Sequence, residues 1–475
     1  MPFHEDHLPD LVRRYSVAGP RYTSYPPAPH FSSDFTAEDY LSKLARMRMR
    51  HTNVEEGPAE YLQGHNGLSL YVHLPFCRSM CYYCGCHMLV TSSRERIERY
   101  LDYLQKEIDL TASHLGDANQ VVQLHWGGGT PTYLSPIQIS RLMTALAGRF
   151  QFTPDAEIAL EADPRGLTAG HLQAAREAGF NRLSIGVQDL DPLVQEAIHR
   201  IQPPELVQDV TETARRLGFQ SISYDLIYGL PHQTLDGFLH TLSQVIAMAP
   251  DRLSLFGYAH VPWTKKRQRL IHDSWLPTPE MRMQIFIEAV RMLTKEGGYN
   301  HIGMDHFARP DDPLSRARDA GSLQRNFQGY STHAGMDLIG FGISSISQIE
   351  DAYAQNVLGL QDYYNLLDRN TLATVRGYRM TVDDKIRRYV IMQLMCNLRI
   401  ETADVERRFG IDFWTYFEPA LRELRAMEDD GLVEVLPAHI AVSETGRFFV
   451  RNVAMVFDAY LKTDRKLGPI YSRTV

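Results

Sequence analysis

Four cysteines stand close together in the segment that runs from Cys77 through Cys81 and Cys84 to Cys86. Structural zinc sites usually take two cysteine pairs separated by a longer loop, and complete ferredoxin binding runs use other spacings. Neither class fits this segment. Three thiolates so close in sequence suit a four-iron cluster, of which they occupy three corners and leave the fourth iron open to a ligand from outside the protein.

Cys86 leaves two alternatives open. It could be a fourth cluster ligand, which would close the site, or a thiol beside the cluster. Residues two apart rarely bind neighbouring corners without strain, which favours Cys77, Cys81 and Cys84 as the ligand set. The fifth cysteine, Cys396, lies in an apolar helical pattern and is predicted to be a small buried hydrophobic residue.

Polar or glycine-rich residues follow the β-type runs that surround the cysteines. One run ends in the sequence HWGGGT (125–130), where three glycines permit close approach of the backbone to a ligand. The next ends with Glu161 and Asp163, two apart and therefore on one face. Catalytic groups of (β/α) barrels collect at the C-terminal ends of the strands, so one shared site is predicted. Later runs end in or carry Gln188, Asp225, Tyr258, Ala259 and His260.

Short β-type runs alternate with helical patterns over the middle of the chain. Thr168 and Thr234 are predicted N-caps, and Gly179 and Gly218 stand where helices should end. Such alternation predicts a parallel sheet with right-handed crossovers. With six clear strands, we expect an α/β fold built on an incomplete parallel (β/α)6-type barrel. The runs span 68–74, 121–126, 156–163, 181–188, 221–229 and 252–260.

Three domains are predicted from changes of pattern along the chain. Residues 1–52 form an N-terminal strap and a helix over 37–49, and a polar loop follows over 51–67. Residues 53–376 form the barrel domain. Residues 377–475 form a mainly helical, winged-helix-like domain, which we interpret as a lid or packing module because no basic stripe crosses it.

The bulk composition narrows the class of protein. The 475 residues are 44% hydrophobic and 22% charged, as in globular proteins with more than one domain. No apolar stretch approaches the roughly 18 residues of a membrane span, and the N-terminus lacks a signal-peptide pattern. These features predict a cytoplasmic protein. The net charge of −8 argues against bulk nucleic-acid binding.

The C-x3-C-x2-C spacing after a strand resembles the signature of the radical S-adenosylmethionine superfamily. Beyond the cysteines, the whole chain resembles the oxygen-independent coproporphyrinogen III oxidases of haem biosynthesis. The resembling segments are GPRYTSYP (19–26), YVHLPFC (71–77), CYYCGC (81–86), HWGGGTPTYL (125–134), EADPR (161–165), NRLSIGVQD (181–189), DLIYGLP (225–231), GMDHFARPDD (303–312) and NFQGYST (326–332).

This resemblance implies a [4Fe–4S] cluster and two S-adenosylmethionine molecules per chain. The implied reaction turns two propionates of coproporphyrinogen III into vinyl groups and yields protoporphyrinogen IX. The β C–H bond of a propionate is unactivated, so a 5′-deoxyadenosyl radical abstracts the hydrogen atom and CO2 then leaves. The resemblance further implies an electron donor such as a flavodoxin or ferredoxin, no nucleic-acid or membrane partner, and a monomer.

Residue by residue, the resemblance makes Cys77, Cys81 and Cys84 the metal ligands. It implies that the cluster-bound cofactor contacts Tyr71, Gly128, Glu161 and Ile346. It implies that a second cofactor, or part of the substrate pocket, lies near Tyr83, Gly129, Thr130, Gln188, Arg200, Asp225 and Ala259. Catalytic roles are implied for Cys86, Phe327 and Gln328.

A substrate with four propionates also needs cationic partners. Arg21, Arg309 and the run Lys265-Lys266-Arg267 are candidates, and arginine is favoured for bidentate carboxylate contacts. Arg21 leads because Tyr22 and Tyr25 beside it could pack on a macrocycle. Two alternatives stay open: Arg21 as a strut paired with an acidic residue, and the Lys–Arg run as a solvated surface.

Three other functions are alternatives to the oxidase. Haem-binding chaperones share the radical scaffold but generally lack the Cys-Gly-Cys ending, so Cys86 favours the oxidase. The net negative charge disfavours a tRNA-modifying radical enzyme, and the cysteine spacing disfavours a structural zinc protein.

Overall fold

Six parallel strands form the centre of the fold. The computed structural model describes residues 8–52, 67–333, 335–461 and 470–474. Every strand expected from the sequence is present, and each is paired in parallel with the next, which confirms the incomplete parallel barrel. Together with two short strands of the cysteine segment, they are β1 (Leu68–Leu74), β2 (Phe76–Cys77), β3 (Leu89–Val90), β4 (Gln120–Gly128), β5 (Gln151–Ala162), β6 (Arg182–Gln188), β7 (Ser221–Tyr228) and β8 (Arg252–Gly257).

The sheet extends beyond these six strands to twelve, in the order β16-β15-β14-β13-β1-β4-β5-β6-β7-β8-β10-β9. The sequence analysis missed these additions. β13 lies parallel to β1, and the remaining additions pair antiparallel. The later strands are β9 (Asn300–Gly303), β10 (His306–Ala308), β11 (Gln324–Asn326), β12 (Gly329–Ser331), β13 (Asp337–Phe341), β14 (Ile346–Ile349), β15 (Ala352–Asn356) and β16 (Thr374–Arg379).

Helices cover the strands, and local signals in the sequence set their ends. The hydroxyls of Thr168 and Thr234 accept hydrogen bonds from the amides of His171 and Gly237, so both predicted N-caps are confirmed. The helices of this part are α1 (Leu8–Tyr15), α2 (Ala37–Thr52), α3 (Arg94–Leu115), α4 (Pro136–Ala147), α5 (Ala169–Glu177), α6 (Pro192–Ala197), α7 (Pro204–Arg216), α8 (Leu235–Met248), α9 (Pro279–Lys295), α10 (Pro313–Asp319) and α11 (Leu360–Asp368).

The C-terminal part is mainly helical and carries a small antiparallel sheet of order β17-β19-β18. Cys396 is buried in its first helix, as expected. The domain limits at 52 and 376 stay predictions, and most of the predicted loop over 51–67 lies outside the described residues. The elements are α12 (Val382–Asn397), β17 (Arg399–Glu401), α13 (Thr402–Phe409), α14 (Phe413–Tyr416), α15 (Glu418–Asp429), β18 (Val433–Leu436), β19 (His439–Val442) and α16 (Val450–Met455).

The strap is fastened to the C-terminal part. Arg451 Nε donates to the Pro20 carbonyl at 3.1 Å, and the Tyr22 hydroxyl donates to Asp458 at 2.9 Å. Tyr22 and Tyr25 are 1% and 0% exposed. The expectation that these tyrosines could pack on a macrocycle is therefore wrong, because both rings are buried and anchor the strap.

A buried carboxylate ties the added strands to the barrel. Glu107 on α3 accepts hydrogen bonds from the Gly342 amide at 2.6 Å, the Tyr363 hydroxyl at 2.6 Å and the Asn356 side chain at 2.5 Å. Gly342 follows β13, Tyr363 lies on α11, and Asn356 ends β15. Burial raises the pKa of Glu107 to about 7 despite the three donors.

We expect Glu107→Ala to lower the melting temperature by roughly 5 °C, because three buried donors lose their acceptor. Glu107→Gln should be milder and should remove a pH dependence. The folded protein holds the Glu107 proton more tightly than the unfolded chain does, so this contribution to stability is present at pH 5 and lost as pH rises through about 7. Thermal melts from pH 5 to 8 test this, and parallel curves for wild type and Glu107→Gln would contradict it.

Candidate functional site

The four clustered cysteines line one cavity of about 400 Å³ at the C-terminal ends of the parallel strands. Cys77 ends β2, and the other three follow in the loop between β2 and β3. Cys77 and Cys81 are buried, whereas Cys86 is exposed. The loop therefore presents all four thiols to the cavity, and Cys86 is the most exposed of them.

The thiols fit a cluster better than a single ion. Among the described residues, no three His, Cys, Asp or Glu side chains lie close enough to hold one metal ion. A cubane spreads its ligands over separate irons, so thiolates too far apart for one ion suit it. Burial raises the pKa of Cys77 to about 11, whereas hydrogen bonding from Cys86 lowers that of Cys84 to about 6. This arrangement disfavours a structural zinc site.

The glycines after β4 hold the cysteine loop against the barrel. A Cβ on Gly129 would lie 2.6 Å from the backbone of Pro75, and Gly128 has φ +112 with no room for a side chain beside His73. The Gly129 amide donates to the Leu74 carbonyl at 2.9 Å. The Thr130 hydroxyl donates to Cys77 Sγ at 3.5 Å. These glycines are required by close backbone contact, and Thr130 touches the first proposed ligand.

Glu161 lies at the cavity wall among neighbours that leave it partly open. Its carboxylate contacts His125 Nε2 at 3.1 Å and accepts a hydrogen bond from the Gly128 amide at 3.3 Å. The Tyr71 ring stacks on His125, and its hydroxyl meets His73 Nδ1 at 3.1 Å. The side chain of Glu161 is still 41% exposed, so a ligand in the cavity can reach it.

The residues implied for a second cofactor mostly line the same cavity. The half-buried Asp225 carboxylate lies beside Ser184, whose hydroxyl donates to it at 2.9 Å. Desolvation together with the charge of Glu161 raises the pKa of Asp225 to about 6. Ala259 contributes no lining, but the Gln268 amide joins its carbonyl to that of Tyr83. The residues of this group that line the cavity are Tyr83, Gly129, Thr130, Gln188, Arg200 and Asp225.

Four residues implied at the site do not line the cavity: Tyr71, Ala259, Phe327 and Ile346. Ile346 and Phe327 pack with Phe31, Tyr353 and Met380, on the strap side of β14 and β15. The Phe327 ring meets Tyr353 edge to face at 6.0 Å. Their roles stay predictions.

Gln328 does line the cavity, and its Nε2 is buried without a hydrogen-bond partner among the described residues. Because an unpaired buried amide is costly, this nitrogen is suited to a polar ligand. Of the three residues implied as catalytic, Cys86 and Gln328 therefore face the cavity.

A paired-arginine arrangement was missed by the sequence analysis. Arg165 Nη2 donates to Cys81 Sγ at 3.4 Å and to Asp163 at 2.7 Å. Arg200 Nη1 reaches the same two residues at 3.7 and 3.1 Å. Arg165 stands in the segment EADPR, two residues after Asp163, but nothing in that spacing indicates a neighbour eighty residues earlier.

The basic residues considered as propionate partners lie in different parts of the structure. Arg21 contacts Asp305 and the Gly257 carbonyl, each at 3.5 Å, and lies 5.7 Å from the centre of the Phe256 ring that lines the cavity. Arg309 was a wrong choice. Its amide bonds the Asp251 carbonyl at the amino end of β8, opposite the cysteines.

Comparisons with known proteins follow the same division of the chain. The radical SAM superfamily model matches residues 71–245, and the model described as the HemN C-terminal domain matches residues 380–449. Curated oxygen-independent coproporphyrinogen III oxidases of Escherichia coli (strain K12) and Pseudomonas aeruginosa are 46% and 44% identical. The first covers 98% of both chains and the second 95% of both.

A solved structure is similar over nearly the same length. It is described as coproporphyrinogen III oxidase (HemN) from Escherichia coli, a radical SAM enzyme, and matches with a TM-score of 0.86 at 45% identity. The match covers 93% of this chain and 97% of the other. No helix among the described residues has the length and apolarity needed to cross a membrane.

Serine substitutions of the cysteines should separate ligands from neighbours. We expect Cys81→Ser to lose most of its cluster after anaerobic reconstitution. Cys86→Ser should retain iron near the wild-type content, because the exposed Cys86 lies outside the proposed ligand set of Cys77, Cys81 and Cys84. Iron analysis and the anaerobic visible spectrum measure this. Equal loss in both variants would make Cys86 a ligand.

Proposed function

Because the chain belongs to the family of oxygen-independent coproporphyrinogen III oxidases, we propose that it oxidatively decarboxylates two propionates of coproporphyrinogen III to vinyl groups, giving protoporphyrinogen IX. The protein is a radical S-adenosylmethionine oxidoreductase of porphyrin biosynthesis. When bound, the [4Fe–4S] cluster and S-adenosylmethionine supply the radical that abstracts hydrogen from an unactivated carbon.

One observation carries this function: the cysteine loop and the polar ends of the parallel strands line a single cavity. Glu161 and the Gly128 backbone stand on one wall, and Gln188 and Asp225 stand on β6 and β7. These groups can bind and orient a polar cofactor beside the thiols.

An anaerobic assay tests the proposal directly. Reconstituted protein is incubated with dithionite, S-adenosylmethionine and coproporphyrinogen III, and vinyl products and 5′-deoxyadenosine are measured by chromatography. Product formation that needs all three components supports the function. Cofactor cleavage without vinyl product would separate the superfamily chemistry from this substrate.

The haem-binding chaperone is not favoured. Chains of 44–46% identity over nearly the whole length carry the oxidase name, and Cys86 faces the cavity as an additional thiol. Purification with tightly bound haem and without cofactor cleavage would reverse this choice.

We further propose two S-adenosylmethionine molecules per chain, one at Cys77, Cys81 and Cys84 and one near Asp225. The support is that polar groups line the cavity on β4–β5 and again on β6–β7. Equilibrium dialysis counts the bound equivalents. The cytoplasmic location and the monomeric state stay predictions.

For substrate recognition, we propose that Arg21 binds a propionate at the cavity rim. Its two protein contacts are long, at 3.5 Å, so donors remain for a better acceptor. A propionate entering this partly dry region needs a charge-assisted partner, worth about 1.5–3 kcal/mol per hydrogen bond.

Arg21→Ala should raise the KM for coproporphyrinogen III about tenfold while leaving iron content unchanged. Arg309→Ala is the matched control, since it removes the same side chain at the opposite end of the barrel. Steady-state kinetics under saturating S-adenosylmethionine give both values. If Arg21→Ala lowers the melting temperature and leaves KM unchanged, Arg21 is a strut that holds Asp305.

The electron donor is proposed to be an acidic one-electron carrier that docks on the turn Lys265–Leu270, next to the cysteine loop. Arg267 Nη2 donates to the Cys86 carbonyl at 3.1 Å, and Gln268 donates to the Tyr83 carbonyl at 2.8 Å. Lys266 and Arg269 are exposed on this turn. In a chain of net charge −8, this cationic surface beside the cluster loop favours an acidic partner.

Charge reversal on this turn should slow reduction by a protein donor only. We expect Lys266→Glu combined with Arg269→Glu to lower the turnover driven by a reduced flavodoxin about tenfold at low salt, while turnover driven by dithionite stays unchanged. The control is the same reversal at Arg407 and Arg408, in the C-terminal part. A raised KM for coproporphyrinogen III with dithionite would instead make the turn a substrate site.

A further inference from the structure

One carboxylate holds two guanidinium groups against a single cysteine. Asp163 accepts hydrogen bonds from Arg165 Nε at 3.0 Å and from Arg165 Nη2 at 2.7 Å, and it pairs with Arg200 at 3.1 Å. Both arginines also direct a donor at Cys81 Sγ, at 3.4 and 3.7 Å. We name Asp163, Arg165 and Arg200 the Cys81 clamp.

The clamp is rigid and largely withdrawn from water. The side chains of Asp163, Arg165 and Arg200 are 14%, 21% and 8% exposed. The Arg165 amide also donates to Asp163 at 3.0 Å, which closes a short turn around Pro164. Arg200 is further fixed by the Gly186 carbonyl at 2.7 Å and by Gln202 at 3.1 Å. Neither guanidinium can turn away from the cysteine without losing several hydrogen bonds.

The clamp carries one net positive charge, since two cations share one anion. Neither Cys77 nor Cys84 has an arginine donor to its sulfur among the described hydrogen bonds. Instead, the Thr130 hydroxyl donates to the sulfur of Cys77, and the Cys86 amide donates to that of Cys84. Among the described hydrogen bonds, arginine donors are therefore directed at the sulfur of only one of the three proposed ligands, Cys81. Hydrogen bonds and charge near the sulfurs are established determinants of cluster potential.

We propose that Arg165, held by Asp163, raises the reduction potential of the cluster by donating to the sulfur of Cys81. One-electron reduction makes the thiolate ligand set more negative, and a fixed cation beside one sulfur stabilises that charge. The protein thereby makes it easier for an external carrier to deliver the electron. This inference rests on the proposed cluster site at Cys77, Cys81 and Cys84, and it assigns Arg165 a positioning and electrostatic role rather than a substrate contact.

Redox titration monitored by electron paramagnetic resonance tests this role on the reconstituted protein without S-adenosylmethionine. Arg165→Gln should lower the equilibrium constant for reduction about tenfold, which is about 59 mV for one electron. Arg165→Lys keeps the positive charge but loses the planar, forked set of guanidinium donors. Its reduction potential should therefore shift less from the wild-type value. Arg422→Gln is the matched control because it removes one exposed arginine that pairs on its own helix. Its potential should equal that of the wild type.

The outcomes distinguish this inference from the proposed function. A wild-type protein that binds no cluster would end the proposed function. An intact cluster whose potential is the same in wild type and Arg165→Gln would overturn the role of Arg165 and leave the function standing. If both Arg165 variants lose iron at unchanged melting temperature, Arg165 serves cluster assembly instead, and the proposed tuning is wrong.

Discussion

The contact between Gly129 and Pro75 is the constraint on which the site depends. A side chain at Gly129 would meet the backbone of Pro75 at 2.6 Å and that of Phe76 at 2.8 Å. With no side chain between them, the amides of Gly129 and Thr130 reach the carbonyls of Leu74 and Phe76, each at 2.9 Å. Cys77 comes directly after Phe76, so the first proposed ligand is fixed by backbone hydrogen bonds to the end of β4.

Two carboxylates at the end of β5 illustrate how the same residue type takes different roles through its neighbours. Asp163 is saturated by two arginines, which outweigh the effect of burial and lower its pKa. Glu161, two residues earlier on the same face, has a histidine and one backbone amide as its hydrogen-bond partners in the described part of the chain, and stays 41% exposed. The strand end thus offers one carboxylate to a ligand and uses the other to direct cations at a cysteine.

The sequence predicts the features that depend on local residue patterns. The six barrel strands, the caps at Thr168 and Thr234, and the gathering of cysteines with Glu161, Gln188 and Asp225 follow from alternation and from the common edge of parallel strands. β13 was missed because its five residues are all buried, so no alternation marks it.

Other features depend on contacts distant in sequence. The pairing of Arg165 with Cys81 joins residues 84 apart. Tyr22 is bound by Asp458, 436 residues later, which no spacing near the strap could indicate. Arg309 was misplaced for a related reason: it directly follows β10, which runs antiparallel to β8 and so ends at the opposite end of the barrel from the thiols. Because β10 was not predicted, its antiparallel direction was not predicted either.

The cysteine loop is built with two faces, and this division bears on how reduction and hydrogen abstraction are kept apart. Tyr83 lines the cavity, while its carbonyl is held by Gln268 from the basic turn outside. Cys86 likewise lines the cavity and gives its carbonyl to Arg267. One short loop therefore separates a cationic outer surface from an inner cavity with fixed donors. With the electron donor on this turn, as proposed, an electron has only this short loop to cross before it reaches the thiols.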